Sequence, residues 1–285
     1  MSTRKSARLL VTIHWSGGEV TDYPEIDFIR YPLDKGIDAV ADTITACQKQ
    51  LDRKQYCSLP GFFPADTLAK ILTEVDNLMP HANQADSLRN CYLQRYPDPL
   101  FPDDHPRNIM NRARYRMIPA DLFAAESPLK KLYFWNPFRT LIARIVGESV
   151  LYPSEDPLQP VNVICYGSGD QSAWHYDSDN AFTMTLMLQS AERGGLFELV
   201  PNTRCGDQEE NLEYVSEILG GDRGRVHAVS RIPGELTIFR GCNSLHRVTP
   251  VVGERRRLMA VFVYEKSPGL IGDPVVNQTV YGRIN

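Results

Sequence analysis

The sequence predicts an α+β protein with a mainly helical first half and a second half built of short strands. Apolar residues recur at a helical period before about residue 150, and short β-type runs separated by turns follow from Val161. The 20 prolines and 19 glycines among 285 residues favour many turns over a helical bundle. Short strands at this spacing indicate a sandwich or a barrel.

Three segments of the first half place their apolar residues on one face and are predicted to be helices: residues 37–52, 68–79 and 136–147. Pro80 stops the second helix. The third has Asn136 as its N-cap and Pro137 at its first helical position, and Gly147 closes it. The Pro- and Arg-rich stretch 81–117 is predicted to be irregular, and a connection of that length is usually functional or mobile.

The second half carries runs of β-type residues, for which we predict strands over residues 161–166, 182–189, 196–200, 226–232, 235–239 and 258–264. A turn at Pro233-Gly234 joins two of these strands into a hairpin. The polar segment 206–224 is predicted to be an insertion with a short helix at about 211–219. No internal repeat is present in the sequence.

Composition and charge exclude several classes of function. Lys and Arg number 31 against 35 Asp and Glu, so the net charge of −4 gives no basic excess for nucleic acid or an anionic membrane. No apolar window approaches the roughly twenty residues of a membrane span. The six cysteines form no CxxC pair, and in a chain of this length they indicate reduced thiols: Cys47, Cys57, Cys91, Cys165, Cys205 and Cys242. A cytoplasmic location is expected.

The candidate catalytic residues are two histidines and one carboxylate. His175 and Asp177 are two apart, so an extended segment projects both from one face, and His246 follows far downstream. Two imidazoles and a carboxylate on one face of a barrel form the facial triad that holds Fe(II) and leaves coordination positions open. His-x-Asp alone is a weak signal, and a histidine hydrogen-bonded to a neighbouring carboxylate is the alternative interpretation.

The region from Val161 to about Gly269 resembles the Fe(II)/2-oxoglutarate-dependent oxygenases. Four segments are similar to the branch of standalone enzymes that hydroxylate or halogenate free amino acids: Trp174–Asp177, Leu186–Gln189, Gly194–Glu198 and Ser244–Pro250. The resemblance implies a double-stranded β-helix, a cupin-like jelly roll. Residues 1–150 would then form a helical support and lid region, and residues 151–285 a jelly-roll catalytic core within one integrated domain.

The resemblance implies that His175, Asp177 and His246 are the catalytic iron ligands and that Arg257 binds the distal carboxylate of 2-oxoglutarate. A planar guanidinium suits that role because it pairs with a carboxylate through two hydrogen bonds. Fe(II), 2-oxoglutarate and dioxygen are the implied cofactor and co-substrates. Arg255 and Arg256 compete with Arg257, although strand alternation places Arg257 on the face of Met259 and Val261.

The position two residues after Arg257 departs from the family. Many members have Ser or Thr there to hydrogen-bond the co-substrate, whereas this chain has Met259. Tyr166, Thr185 and Asn162 are the candidates for the missing donor, in that order. Each is equally plausible as a residue that merely lines the barrel.

Asp177 indicates the type of reaction. Halogenases of this branch have glycine or alanine in place of the carboxylate ligand, which opens a coordination position for chloride. A carboxylate in that position favours oxygen transfer, so the expected reaction is hydroxylation, with desaturation or cyclisation as alternatives.

A small zwitterionic substrate needs one anchor for its carboxylate and one for its ammonium group. Arg112 or Arg114 is the candidate for the carboxylate, and Glu155 or Asp156 for the amine. A solvated basic strand and an acidic turn are the alternative interpretations of these segments. Trp174 and Asn243 flank the iron ligands in sequence and are expected to line the substrate pocket.

The leading functional prediction is therefore an Fe(II)- and 2-oxoglutarate-dependent dioxygenase that hydroxylates a small molecule, in particular a free amino acid, with release of succinate and carbon dioxide. Hydroxylation of a peptide or protein side chain, or of another small metabolite, is the alternative within enzymes. A non-catalytic jelly-roll module that binds a metal is the alternative from a different class. Neither nucleic acid nor a membrane is an expected partner.

Overall fold

A large antiparallel sheet organises the fold. The computed structural model describes residues 24–177, 182–205 and 209–284. In this part of the chain the α-helices are α1 (Ala41–Lys54), α2 (Ala65–Leu78), α3 (Pro128–Phe134), α4 (Asn136–Val146), α5 (Leu212–Leu219) and α6 (Pro274–Tyr281). The strands are β1 (Tyr56–Leu59), β2 (Asn83–Arg89), β3 (Asn111–Ile118), β4 (Tyr152–Pro153), β5 (Val161–Tyr166), β6 (Thr183–Gln189), β7 (Arg193–Gly194), β8 (Phe197–Val200), β9 (Arg204–Cys205), β10 (Glu209–Glu210), β11 (His227–Val229), β12 (Leu236–Phe239), β13 (Leu245–Val248), β14 (Val251–Val252), β15 (Arg257–Phe262) and β16 (Tyr264–Glu265).

Seven strands form the main sheet in the order β1-β12-β6-β15-β5-β3-β2. Every neighbouring pair in it is antiparallel. A second sheet has the order β11-β8-β13, and the remaining short strands pair two by two. Strands from the first half of the chain therefore complete both edges of a sheet whose centre comes from the second half.

The predicted helices and central strands are present. The helices predicted over residues 37–52, 68–79 and 136–147 correspond to α1, α2 and α4, and the strand predicted over residues 161–166 has the same bounds as β5. Gly147 follows α4 with a φ of 82°, the left-handed conformation that ends a helix. The short helix of the polar insertion is α5, which Asn211 caps through its side chain; residues 206–208 of that insertion lie outside the described part.

Three local predictions were wrong. The strands on either side of the Pro233-Gly234 turn do not form a hairpin, because β11 pairs with β8 in the second sheet while β12 pairs with β1 and β6 in the main sheet. The stretch predicted to be irregular contains the hairpin of β2 and β3, because strand sequences as polar as NQADSLR and NRARYRMI bury only some of their side chains and give no apolar run. Asn136 is not the N-cap of α4. The helix is capped at Trp135, with no side-chain hydrogen bond, and the Asn136 amide oxygen accepts from Arg139 instead.

The two faces of the main sheet differ in character. On the helix-facing side, alternate residues of the three central strands belong to one hydrophobic core shared with α1 to α4: Val161, Val163, Cys165, Met184, Leu186, Leu188, Leu258, Ala260 and Phe262. The residues between them point to the opposite, site-facing side: Asn162, Ile164, Tyr166, Thr183, Thr185, Met187, Arg257, Met259 and Val261. Polar and charged side chains are thus carried on a face that α1 to α4 do not cover. Tyr281 of α6 belongs to a smaller hydrophobic cluster on that face, together with Ile164 and Tyr166.

Within the described ranges, no helix combines the length and the apolar character needed to cross a membrane.

Candidate metal centre

Backbone pairing brings the two histidines of the predicted triad together. His175 donates its backbone N–H to the His246 carbonyl at 2.9 Å, and His246 donates back to the His175 carbonyl at 3.1 Å. This isolated antiparallel bridge sets the two imidazole rings side by side, with centroids 4.2 Å apart. The backbone of Asp177 is tied to the neighbouring loop by a hydrogen bond to the Gly241 carbonyl at 3.1 Å.

Each imidazole is oriented by a carbonyl two residues earlier in the chain. Nδ1 of His175 lies 2.8 Å from the Ala173 carbonyl oxygen, and Nδ1 of His246 lies 2.9 Å from that of Ser244. Because a carbonyl only accepts, Nδ1 is the protonated nitrogen in both rings. Both Nε2 atoms therefore present a lone pair, which is the arrangement that metal-binding histidines use.

The three candidate ligand atoms converge on one point. Oδ1 of Asp177 lies 3.6 Å from Nε2 of His175 and 3.4 Å from Nε2 of His246. The ligand atoms of the three residues all lie within 4.8 Å of one another. One ion with bonds of about 2.0–2.2 Å to nitrogen and oxygen fits this spacing. Two imidazoles and one carboxylate form the donor set of facial Fe(II) sites, so the residues fit the metal.

The Asp177 carboxylate is held by more than its charge. Thr183 donates its hydroxyl to the second oxygen, Oδ2. Gly241 leaves the room that Oδ2 occupies, since a Cβ there would lie 1.9 Å from it. The site therefore needs both a hydroxyl at residue 183 and no side chain at residue 241.

The protonation states suit metal binding. Burial acts to raise the pKa of Asp177, but the neighbouring His246, His175 and Thr183 outweigh it and hold that pKa below its usual range. Burial, followed by the proximity of His246, lowers the pKa of His175 to about 4. A charged carboxylate and neutral imidazoles are the forms that coordinate a metal.

Arg257 is buried on the site-facing side of the main sheet. Its side chain is 0% exposed, and its Nε and Nη1 atoms have no hydrogen-bond partner among the residues that the structure describes. Tyr166, its partner across the strands, holds its ring 5.5 Å from the guanidinium carbon. The two competing arginines have other partners. Arg256 pairs with Asp76 at 2.6 Å, and Arg255 donates to the backbone carbonyls of Ser190 and Ala191. A buried guanidinium with unused donors is the fit expected for a carboxylate ligand.

The three predicted donors to the co-substrate lie at different positions on the site-facing side. Tyr166 is buried beside Arg257, and its hydroxyl is hydrogen-bonded to Ser172. The Thr185 hydroxyl accepts from Nη1 of Arg231 at 2.8 Å. Asn162 stands in register with Val261, further along β15, and its amide nitrogen donates to the Gln159 carbonyl.

The predicted substrate arginines lie on β3, and each forms an ion pair with a carboxylate outside the triad. The exposed Arg112 forms an ion pair with Asp86 on the neighbouring strand, with a closest distance of 2.8 Å. Arg114 pairs with Asp170 at 2.9 Å.

The predicted acidic anchors also have contacts elsewhere. Glu155 is exposed on its loop. Asp156 is fully buried, and its carboxylate accepts hydrogen bonds from the backbone of Gly272 and the side chain of Asn277, so it holds the C-terminal helix α6.

Trp174 and Asn243 both lie close to the triad in the chain. Trp174 is buried, and the Arg247 guanidinium lies 4.6 Å from its ring. The Asn243 side chain accepts from the thiol of Cys242 at 3.2 Å, and its carbonyl accepts from the backbone of Arg204.

Two buried arginines near the site were not predicted from the sequence. Arg89, at the end of β2, is 7% exposed, and its charge contributes to the low pKa of His175. Arg231, before the Pro233-Gly234 turn, is 8% exposed. Nη2 of Arg89 and both Nε and Nη2 of Arg231 have no hydrogen-bond partner in residues 24–177, 182–205 and 209–284. A charged residue inside the apolar run 226–232 is the signal that could have identified Arg231. Arg89 lies in a stretch without any such pattern.

The chain is similar to known proteins in both sequence and fold. Residues 39–273 match the family model Halogenase D. No curated protein matches the chain in sequence. Among solved structures, AviO1 from Streptomyces viridochromogenes Tue57 is similar at 14% identity and a TM-score of 0.55, over 81% of this chain and 97% of that one.

Two further solved structures have a similar fold. The non-heme alpha ketoglutarate dependent epimerase SnoN from nogalamycin biosynthesis is 15% identical, with a TM-score of 0.53 over 82% of this chain and 92% of that one. A prolyl hydroxylase from Trichoplax adhaerens, solved with a hypoxia inducible factor peptide fragment, is 17% identical, with a TM-score of 0.51 over 81% and 92%. At these identities the similarity concerns the fold, and the predicted α+β fold with a double-stranded β-helix is confirmed.

Proposed function

The chain belongs to the Halogenase D family, within the Fe(II)/2-oxoglutarate oxygenases, and on that premise we propose that it hydroxylates a small molecule of the free amino acid class. Membership implies Fe(II) as the metal, with 2-oxoglutarate and dioxygen as co-substrates. When bound, Fe(II) with these two reactants supplies the oxidising power for C–H oxygenation: one oxygen atom enters the product, and 2-oxoglutarate becomes succinate and carbon dioxide.

Asp177 is the observation that supports hydroxylation over halogenation. Its Oδ1 lies within 3.6 Å of both histidine Nε2 atoms, and its Oδ2 is fixed by Thr183. A carboxylate in this position occupies the coordination site that a halide would need. The family model carries the name of a halogenase, but this chain has the ligand set of an oxygen-transferring enzyme.

The chain's own residues divide the remaining tasks. The histidine Nδ1 hydrogen bonds fix both rings, so the ligand atoms are organised before the metal arrives. Arg257 offers unpaired donors to the distal carboxylate of 2-oxoglutarate, in a buried setting that strengthens the attraction. His175 and Asp177, at 21% and 25% side-chain exposure, are the more open members of the triad, whereas His246 is 5% exposed. The substrate therefore approaches from the side of His175 and Asp177, away from His246.

Arg89 supports an acidic substrate group on that side. Its guanidinium is buried, its Nη2 finds no hydrogen-bond partner among the described residues, and its charge acts on His175. An amino acid carboxylate placed there would satisfy the unpaired donor and bring the substrate's carbon chain toward the metal. Arg112 and Arg114 are the alternatives that the sequence offers for this role, but each already pairs with a carboxylate, Asp86 and Asp170 respectively, so we assign the role to Arg89.

Succinate release tests the proposal. The protein is incubated under air, in a buffer that contains chloride, with Fe(II) and 2-oxoglutarate. Amino acids, peptides and nucleosides are added as separate pools, and the His175→Ala variant is the blank. We expect the amino acid pool alone to raise succinate above background and to yield a product heavier by one oxygen. A chlorinated product would contradict the role given to Asp177, and a response only to peptides would contradict the substrate class.

A matched pair of variants tests the carboxylate anchor. Arg89→Gln is expected to raise the KM for the responding amino acid by about 10-fold or more, because a charge-assisted hydrogen bond is lost. Arg112→Gln, whose guanidinium pairs with Asp86, serves as the control and is expected to leave KM unchanged. The reverse result would return the role to Arg112.

A further inference from the structure

A second buried guanidinium lies next to that of Arg257. Arg231 comes from the segment between β11 and β12, so it is far from Arg257 in sequence. Both side chains nevertheless reach the same atom: Nη1 of Arg231 lies 3.3 Å from the Met259 sulfur, and Nη2 of Arg257 lies 3.6 Å from it. Met259 therefore stands between two cations.

The donors of these two guanidiniums are largely unused. Within the described part of the chain, Nε and Nη2 of Arg231 and Nε and Nη1 of Arg257 have no hydrogen-bond partner, although both side chains are buried. No carboxylate in the described ranges forms a salt bridge with either. Buried N–H groups of a charged side chain are costly to leave unpaired. Four such groups on two guanidiniums that both contact the Met259 sulfur indicate that an anion with several acceptor sites completes the arrangement.

Three neighbouring side chains hold the Arg231 guanidinium in place. Thr185 accepts a hydrogen bond from its Nη1 at 2.8 Å. The guanidinium carbon lies 3.9 Å from the centre of the Phe197 ring and 5.6 Å from that of Phe239. The same two rings flank His246, with centroids 5.8 and 5.0 Å from its imidazole. Arg231 is thus separated from a metal ligand by a single layer of aromatic rings.

Electrostatics favour an anion at this position. Burial, and then the charge of Arg257, lowers the pKa of Arg231 to about 9, while the largest opposing influence is the charge of Glu235. Burial also lowers the pKa of Arg257. A carboxylate between the two guanidiniums would relieve their mutual repulsion and repay part of their desolvation.

We propose that Arg231 and Arg257 together bind the distal carboxylate of 2-oxoglutarate. The inference rests on the proposed function. It assigns to Arg231 the donor role of the Ser or Thr that many family members carry two residues after the arginine, where this chain has Met259. A carboxylate offers about four lone-pair sites, so it accepts from two guanidiniums at once. Thr185 acts through Arg231 as a positioning residue.

Calorimetric titration of the Mn(II)-loaded protein without turnover separates this role from a structural one. The probes are 2-oxoglutarate and 2-oxobutyrate, which share the metal-chelating oxo-acid group but differ in the distal carboxylate. Arg231→Gln is expected to weaken 2-oxoglutarate binding by roughly 10- to 100-fold and to change 2-oxobutyrate binding by less than about 3-fold. Arg257→Gln is expected to behave alike, and the double variant to lose the preference for 2-oxoglutarate.

The control and the rescue variant sharpen the result. Arg256→Gln, next to Arg257 but paired with Asp76, is expected to bind both acids as the wild type does. Arg231→Lys keeps the charge without the planar fork and is expected to give intermediate affinity for 2-oxoglutarate alone. It decides the question if Arg231→Gln does not fold.

Two outcomes overturn the inference, and they are distinguishable from failure of the proposed function. Wild-type affinity for 2-oxoglutarate in the Arg231 variants, or an equal loss for both acids, would contradict the role of Arg231 while leaving the oxygenase intact. A wild-type protein that binds Mn(II) but not 2-oxoglutarate would contradict the proposed function and this inference with it.

Discussion

The two faces of the main sheet use the same strands for opposite purposes. Along β6, Leu186 points into the core shared with the helices, while the adjacent Thr185 points to the site and holds Arg231. Along β15, Leu258 and Ala260 are core residues, whereas Arg257 is buried with unpaired donors. The helix-facing side is completed by the chain itself. The site-facing side carries buried polar groups that find no partner among the described residues, and such groups indicate where a ligand binds.

Loss of one triad imidazole is expected to have the largest effect on the site-facing side. His175→Ala removes one of three metal-ligand groups, so iron affinity should fall by at least about 100-fold, beyond the loss seen when only a ligand's supporting partner is removed. Anaerobic dialysis followed by metal analysis measures this. His227→Ala, on exposed β11, is the matched control and should retain iron. Equal iron content in both variants would contradict the assignment of the triad.

Truncation on the helix-facing side is expected to cost stability instead. Leu186 is fully buried between β12 and β15, so Leu186→Ala should lower the free energy of unfolding by about 2–5 kcal/mol. Denaturant unfolding measures the loss. Leu196→Ala, at a leucine that is 50% exposed, should stay within about 0.5 kcal/mol of the wild type. If folded Leu186→Ala protein bound iron much more weakly, the separation of the two faces would be wrong.

A methyl group added at Gly241, beside the carboxylate ligand, is expected to weaken metal binding. In Gly241→Ala the new Cβ would lie 1.9 Å from Oδ2 of Asp177, so the carboxylate must move. We expect iron affinity to fall by about 10- to 100-fold. Gly224→Ala places its Cβ 3.5 Å from Asp222 and is the control. Unchanged iron binding in Gly241→Ala would show that Asp177 is not held as described.

The smallest expected effect concerns a single hydroxyl on the site-facing side. Thr185→Val keeps the shape of the side chain but removes the acceptor for Nη1 of Arg231. The Kd for 2-oxoglutarate should rise about 5-fold, the equivalent of about 1 kcal/mol, and Thr185→Ser should restore it. Calorimetric titration measures both. An unchanged Kd in Thr185→Val would separate Thr185 from the co-substrate site.

Much of the fold was predictable because apolar periodicity is strong in the strands that face the helices. β5 has its predicted bounds, and α1, α2 and α4 lie where one apolar face required them. β2 and β3 were missed because sheet-edge strands with many polar residues give no apolar run.

The site was predictable to the extent that its residues are close in sequence or match a family motif. His175 and Asp177 are two residues apart, and Arg257 follows His246 along the chain. Arg89 is positioned by the pairing of β2 with β3, and Arg231 by a hydrogen bond to Thr185 on a distant strand. A charge within the run 226–232 marks Arg231 as unusual, but neither long-range contact can be derived from the local sequence. Their significance lies in donors left unpaired after folding, a property of the packed structure alone.

Visible absorption of the protein with Fe(II) and 2-oxoglutarate in the absence of oxygen tests the central claim most directly. Chelation of triad-bound iron by the co-substrate should give a charge-transfer band that saturates at one equivalent of 2-oxoglutarate. His175→Ala should give no band. A wild-type protein that holds one equivalent of iron yet stays colourless on addition of 2-oxoglutarate would contradict the claim that the site-facing side of the sheet is completed by these two ligands.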